Sequence, residues 1–159
     1  MVINVKTYQA KLATPFAMLG VLTEAGRLTG IDFLPLASGA LAPQNTLAKE
    51  VCRQLLAYVR DPAYRFDLPL SIDSTPHRMK VWQALMQIPS GTVLHYGDLA
   101  VNLGSSPRAI GQACGANPVP LIIPCHRVLA KSGIGGFMHH SNGAPLLIKQ
   151  WLLRHENVE

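Results

Sequence analysis

An apolar run that leads into a cysteine constrains this chain more than any other stretch. The run 121–123 (Leu-Ile-Ile) is short and β-branched, which predicts a buried strand or an extended segment. Pro124 should end that segment, because proline cannot donate a hydrogen bond to a neighbouring strand. Cys125 and His126 follow at once. The sequence therefore predicts a thiol and an imidazole at the mouth of a buried segment.

Two interpretations of Cys125 stay open at this point. Most buried cysteines are inert packing residues. A free thiol has a pKa of about 8.5, but a nearby base or cation raises the share of reactive thiolate. The neighbours Pro124, His126 and Arg127 favour such a nucleophile. Successive side chains of an extended segment point to opposite faces, so His126 would act on the thiol through a water or a third group.

Composition limits the class of protein. With 159 residues, 48% of them hydrophobic, the chain can bury a sizeable core in one or two domains. The net charge of +5 permits a polyanionic partner without proving one. Three cysteines without CxxC spacing indicate neither a disulfide framework nor a zinc site, and they fit a reducing cytoplasm. Neither a membrane-spanning stretch nor a signal pattern is predicted.

The first half predicts a small α+β unit over residues 1–74. Two strands, near 16–22 and 28–33, should form a hairpin that turns at Ala25-Gly26. A helix should start at Asn45 or Thr46 and end before Pro62, and 67–72 should be a short edge strand. This half contains no motif that carries chemistry.

The second half, residues 75–159, predicts mostly helix. Helices should begin at Thr75-Pro76, at Gly97-Asp98, at Arg108 and at Pro145. The second and third, joined by a turn with Gly104, form a helix-turn-helix pattern. The third is rich in Ala and Gly, so its backbone can lie close to another helix or to a nucleic-acid minor groove. Both alternatives remain open.

The segment 131–143 is rich in glycine and predicts a loop. It suits either a ligand-binding wall or a plain mobile connection. The pair His139-His140 invites a metal site, but no cluster of Cys, Asp or Glu supports one, so no metal is expected.

The segment Pro124-Cys125-His126-Arg127-Val128 resembles the active-site signature of the O6-alkylguanine-DNA alkyltransferases. These DNA repair proteins are also called methylated-DNA–protein-cysteine methyltransferases. The resemblance covers nearly the whole chain and is most specific from His77 onward. Further segments resemble the family in the same order: 81–85 (VWQAL), 88–92 (IPSGT), 96–100 (YGDLA), 109–114 (AIGQAC) and Asn117-Pro118.

The resemblance implies a ribonuclease H-like N-terminal domain and a winged-helix-like C-terminal domain. It also implies an activity. A monomer binds duplex DNA in the minor groove and flips the damaged guanine into a pocket. Cys125 then takes the alkyl group from O6-alkylguanine, and also from O4-methylthymine, and keeps it. Each molecule acts once, and no cofactor is needed because the cysteine is the acceptor.

Residue roles follow from the same resemblance. His126 would deprotonate Cys125 through a water, and Tyr96 would help to rotate the phosphate and bond the guanine. Arg108 would fill the space left by the flipped base, and Asn117 would order the turn near the cysteine. Ala109, Gln112 and Ala113 would contact DNA. In the pocket, the Val128 carbonyl would accept a hydrogen bond from the guanine amine, the Met138 N–H would donate to O6, and Phe137 would line the wall.

Two departures from the family pattern stand out. Gln150 occupies the position on the last helix where a glutamate is expected to orient the histidine, which predicts a less activated cysteine because an amide cannot stabilise an imidazolium by charge. In the loop, bulky residues 138–140 follow Phe137 where the family has small ones, which puts the tolerance of large alkyl groups in doubt.

Three rival functions remain. An alkyltransferase-like lesion sensor would bind the base with weak or no transfer, and Gln150 leaves room for it. A winged-helix regulator would need a dimer interface or an effector domain, for which the sequence holds no sign. A cysteine hydrolase would need repeated turnover, which a stable thioether forbids.

Overall fold

The computed structural model describes residues 6–139 and 143–158, and the predicted His140 lies outside them. The structure is mixed helix and sheet, and it separates into two compact units, one ending at Ile72 and the other beginning at Asp73. Within the described ranges, no helix is long and apolar enough to cross a membrane.

The N-terminal unit is built on a three-stranded antiparallel sheet. Its strands β1 (Ala10–Ala13), β2 (Met18–Glu24) and β3 (Arg27–Leu34) are paired in the order β1-β2-β3. The predicted hairpin is confirmed: Ala25 and Gly26 join β2 to β3 with φ values of 50° and 74°. Positive φ at both central residues suits the turn that matches the twist of a hairpin.

Helix α1 (Thr46–Arg60) covers this sheet and begins where the sequence predicts. The side chain of Asn45 caps it by accepting a hydrogen bond of 2.7 Å from the Ala48 N–H. Val51 and Leu55, on its apolar face, are fully buried.

The predicted edge strand over 67–72 is wrong. Only Leu70 makes a bridge, to Leu28 of β3. Pro69 has no N–H to donate, although its carbonyl accepts a hydrogen bond of 2.8 Å from Leu28.

The C-terminal unit contains the predicted helices. They are α2 (Pro76–Leu85), α3 (Tyr96–Leu103), α4 (Pro107–Gly115) and α5 (Ala144–His155). Gly104 ends α3 in the left-handed conformation, with φ 62°. α3 packs against α4, and α2 packs against α4.

The predicted strand over the run 121–123 is wrong. Leu121 lies at φ 78°, so the chain turns there although the run stays largely buried. A strand would need free ladder groups, but Pro120 and Pro124 lack N–H groups and the side-chain amide of Asn117 takes the Ile123 carbonyl at 2.8 Å.

After Pro124 the chain continues as one 3-10 turn, Cys125–Arg127. The next two residues form β5 (Val128–Leu129), which pairs in parallel with β4 (Leu94–His95). Because β4 leads directly into α3, this pairing fixes the cysteine segment relative to α3.

Candidate active site

Cys125 opens the 3-10 turn and lines a cavity of about 710 Å³. Its side chain is 3% exposed, and its Sγ accepts a hydrogen bond of 3.3 Å from the Asn117 Nδ2. Burial raises the pKa of the thiol to about 11, although the Asn117 hydrogen bond and the charge of Lys149 pull it down. The resting group is therefore a thiol, and it needs a base before it can attack.

Asn117 is the residue that shapes the turn before the cysteine. It is 3% exposed, and its Nδ2 donates both to the Ile123 carbonyl and to Cys125. Its Oδ1 accepts a hydrogen bond of 3.0 Å from the Val119 N–H. This side chain replaces the backbone partners that a strand would supply.

His126 is fully buried and pairs with Glu156, which follows the last helix. The distance from His126 Nε2 to Glu156 Oε2 is 2.8 Å. Because an ionised carboxylate only accepts hydrogen bonds, Nε2 carries the proton. The other ring nitrogen, Nδ1, is buried without a hydrogen-bond partner in the part of the chain that the structure describes, and in this tautomer it presents a lone pair.

This geometry corrects the prediction that Gln150 stands behind the histidine. Gln150 instead lines a separate, smaller cavity with residues such as Arg154 and Lys131. The helix ends at His155, and the residue that pairs with His126 follows its last turn. The residue there is a carboxylate, and the predicted loss of charge behind the imidazole does not occur.

Arg127 completes the network around that carboxylate. Its Nε donates to Glu156 Oε1 at 2.8 Å and its Nη2 to Oε2 at 3.0 Å, while Nη1 donates to the Ile88 carbonyl at 2.6 Å. The bidentate pairing fixes the orientation of a carboxylate that is 2% exposed. Burial lowers the pKa of His126 in spite of Glu156, so the imidazole is neutral at pH 7 and able to accept a proton.

The cavity brings together several predicted site residues from separate elements. Besides Cys125, its walls include Tyr96 at the start of α3, Arg108 on α4, and Phe137 and Met138 of the loop after β5. The Tyr96 hydroxyl donates to the Gly136 carbonyl at 3.4 Å, and burial raises the pKa of this phenol, so it stays protonated. Tyr96 is thus a hydrogen-bond donor beside the thiol.

The loop wall is bulky and tightly placed. Met138 and His139 have φ values of 52° and 65°, which residues other than glycine rarely adopt. The His139 imidazole lies against Gly115 of α4, so closely that a Cβ on that glycine would overlap the ring. A glycine at 115 is therefore what lets His139 form part of the wall.

The predicted DNA-binding residues divide by exposure. Arg108 and Gln112 are exposed and Ala109 is half-buried, which leaves them available to a partner. Ala113 is 1% exposed and its carbonyl accepts a hydrogen bond of 2.8 Å from Trp82 Nε1. Ala113 packs in the core and the buried Asn117 holds the turn, so the predicted contact of these two residues with DNA stays a prediction.

Lys149 is a second functional candidate that sequence reasoning missed. Its side chain is fully buried, and its Nζ donates to the Val128 carbonyl at 2.7 Å and to the Gly136 carbonyl at 2.9 Å. A carbonyl oxygen has two lone pairs, so the Val128 carbonyl still has one for the predicted guanine amine.

The sequence held a signal for Glu156. After Asp98, the only acidic residues are Glu156 and Glu159. A buried histidine in this half therefore had few possible carboxylate partners. Lys149 left a weaker signal, namely a lysine inside the apolar face of the last helix. Among the described residues, no group of three His, Cys, Asp or Glu side chains could hold a metal ion.

Comparisons with known proteins agree with one another. The family described as 6-O-methylguanine DNA methyltransferase, DNA binding domain, matches residues 76–158. The methylated-DNA–protein-cysteine methyltransferase of Saccharolobus islandicus is 37% identical over 144 residues, 89% of this chain and 91% of that relative. The protein of the same name from Metallosphaera sedula is 33% identical over 125 residues, 78% of this chain and 80% of that relative.

Solved structures show the same likeness. The crystal structure of Mycobacterium tuberculosis O6-methylguanine methyltransferase matches with a TM-score of 0.79 and 28% identity, covering 94% of this chain and 93% of that one. The same organism's OGT in complex with DNA matches with a TM-score of 0.74 and 30% identity, covering 92% of this chain and 90% of that one.

Proposed function

This chain belongs to the family of methylated-DNA–protein-cysteine methyltransferases, and from that premise we propose that it repairs O6-alkylguanine in duplex DNA by moving the alkyl group to Cys125. The observation that carries this proposal is the buried Cys125–His126–Glu156 arrangement at the wall of the cavity. O4-methylthymine is a second substrate of the same chemistry.

The first step is removal of the thiol proton. Nδ1 of His126 presents a lone pair, and a bridging water relays the proton from the Cys125 thiol to it. The Glu156 carboxylate and its Arg127 partner hold the ring in that tautomer and stabilise the imidazolium that forms.

The second step is in-line displacement at the alkyl carbon. The sulfur–carbon bond forms as the carbon–O6 bond breaks, and the negative charge passes to the guanine. Donors in the cavity meet that charge: the Tyr96 hydroxyl at the base and the Met138 N–H at O6. The thioether is stable, so each molecule acts once and no cofactor is required.

DNA binds through α3 and α4, the helix-turn-helix of a winged-helix-like domain, with α4 in the minor groove. Arg108 and Gln112 are the exposed polar residues of α4 that can reach the DNA, and the Ala and Gly residues let its backbone come close. Arg108 also lines the cavity, so its side chain can occupy the gap that the flipped base leaves in the DNA base stack. The N-terminal sheet and helix form a ribonuclease H-like domain, and the protein acts as a monomer in the cytoplasm.

Counting repaired lesions tests the proposal against its rivals. The protein is mixed with an excess of duplex containing O6-methylguanine, and restored guanine is measured over time. We expect a plateau at one guanine per protein and none with Cys125→Ser. Continued turnover would indicate a hydrolase. Binding without restored guanine would indicate the lesion sensor. The main argument for that alternative was an amide behind His126, and the partner of His126 is instead the carboxylate of Glu156.

A further inference from the structure

A buried ammonium lies behind the cavity wall. Lys149 Nζ donates to two backbone oxygens, those of Val128 and Gly136, and no carboxylate pairs with it within residues 6–139 and 143–158. An unpaired buried charge strongly destabilises a fold. Buried ionisable groups of this kind cluster at functional sites, where they act on a neighbouring reactive group.

The two carbonyls fix where that charge sits. Val128 follows the catalytic 3-10 turn directly, and Gly136 precedes Phe137 in the loop wall. The Tyr96 hydroxyl donates to the same Gly136 oxygen, and the ammonium lies 5.7 Å from the centroid of the Tyr96 ring. Lys149 therefore joins the cysteine segment, the loop and α3 at one point.

We propose that Lys149 is a positioning residue for alkyl transfer, whose ammonium is held behind the cavity to compensate the charge of the Cys125 thiolate. This rests on the proposed function for the reaction that it serves. Lys149 acts through the field at the sulfur and does not itself line the cavity. Its charge complements His126, which moves the proton but becomes positive only after the thiol has ionised.

The charges of the groups around the Cys125 sulfur are consistent with this role of Lys149. From α4, Cys114 lines the same cavity as a neutral thiol, since burial raises its pKa. From α3, Tyr96 also stays neutral. His126 is neutral at pH 7, and the charges of Arg127 and Glu156 are paired with each other. Two further cations of the cavity wall, Arg108 and Lys131, are exposed to solvent, so Lys149 is the buried cation without a carboxylate partner among the described residues around the thiol.

The pH profile of the thiol tests this without DNA. Burial lowers the pKa of Lys149 to about 8, although the two thiols raise it. Below pH 8 the ammonium supports the thiolate, and above it that support is lost. We therefore expect the rate at which iodoacetamide, a small neutral reagent, alkylates Cys125 to rise with pH and then level near pH 8, as measured on the Cys125 peptide by mass spectrometry.

Two variants and a control separate charge from structure. Lys149→Met should alkylate about tenfold more slowly at pH 7 and show no levelling near pH 8, because no group titrates there. Lys149→Arg should keep most of the rate at pH 7 and also lose the levelling, because arginine stays charged. Lys80→Met removes an exposed lysine that also bonds a carbonyl, and should leave the profile unchanged.

An unchanged profile in folded Lys149→Met would overturn the proposal. If that variant does not fold, the pH profile of Cys125 alkylation in the parental protein still tests the proposal. An alkylation rate that keeps rising through pH 8 without levelling is incompatible with a lysine that compensates the thiolate. Failure of the proposed function has a different signature. The parental protein would then restore no guanine in lesion duplex, whatever its thiol profile.

Discussion

At the scale of single residues, the site depends on side chains that replace backbone partners or bulk water. Asn117 donates to a carbonyl that a strand partner would otherwise have paired, and Glu156 holds a fully buried imidazole. Buried polar groups of this kind are costly to leave unpaired, so single substitutions should have large effects.

Glu156 and Gln150 provide a direct residue-scale comparison. Glu156→Gln should slow methyl transfer by about 10²- to 10⁴-fold, because the imidazolium loses its charged partner. Gln150→Ala should leave the rate close to the parental value, because Gln150 lies at another cavity. Single-turnover transfer from an O6-methylguanine duplex measures both. A larger effect at Gln150 than at Glu156 would contradict the assignment.

At the scale of elements, α4 and the loop after β5 both line one cavity. The helix supplies small residues and Arg108, whereas the loop supplies bulk at Met138 and His139. Contact with DNA and selection of the alkyl group are thus assigned to different elements, which can be tested separately.

Arg108→Ala tests the helix. Transfer from a fully paired duplex should fall, because no side chain then fills the space of the flipped base. The fall should be smaller when an abasic site faces the lesion, because less pairing has to be broken. Arg154→Ala, which removes an exposed arginine of α5, controls for net charge. An equal loss on both duplexes would show that Arg108 only binds phosphate.

His139→Gly tests the loop. Removing the imidazole from Gly115 should widen the alkyl side of the cavity, so the rate for O6-benzylguanine relative to O6-methylguanine should rise about tenfold. Ser132→Gly changes the same loop at a residue that does not line the cavity and should leave the ratio unchanged. If both variants give the parental ratio, the loop does not select the alkyl group.

Local signals were enough to predict most elements. Asn45, Thr75 and Ser106 cap α1, α2 and α4, and Gly104 ends α3, because caps and glycine act within a few residues of the chain. The run 121–123 does not form a strand, because the Ile123 carbonyl is bonded by the Asn117 side chain. A hydrophobic pattern contains no information about such a side-chain partner. The Glu156 contact spans 30 residues and depends on where α5 ends, so sequence position alone could not choose it over Gln150.

At the scale of the whole molecule, the buried histidine links folding to pH. The pKa of His126 lies below its ordinary value of 6.5 in the folded state, so the unfolded chain binds more protons as the pH falls below 6.5. Stability is therefore fully present above that pH and is lost progressively below it.

Thermal unfolding between pH 7.5 and pH 5.5 checks this link. The melting temperature should be nearly constant down to about pH 6.5 and then fall. His95→Asn, which removes a partly exposed histidine, should show the same dependence. A melting temperature that stays flat to pH 5.5 would mean that His126 binds a proton in the folded protein as readily as in the unfolded chain, which would contradict the lowered pKa.

The central claim is that Cys125 accepts the alkyl group, and peptide mass tests it most directly. The protein is mixed with a duplex containing one O6-methylguanine, digested, and its three cysteine peptides are weighed. We predict one added methyl group per molecule, on the Cys125 peptide, with the Cys52 and Cys114 peptides unchanged. A methyl group on Cys114, or a protein that binds the duplex and keeps its original mass, would contradict the account.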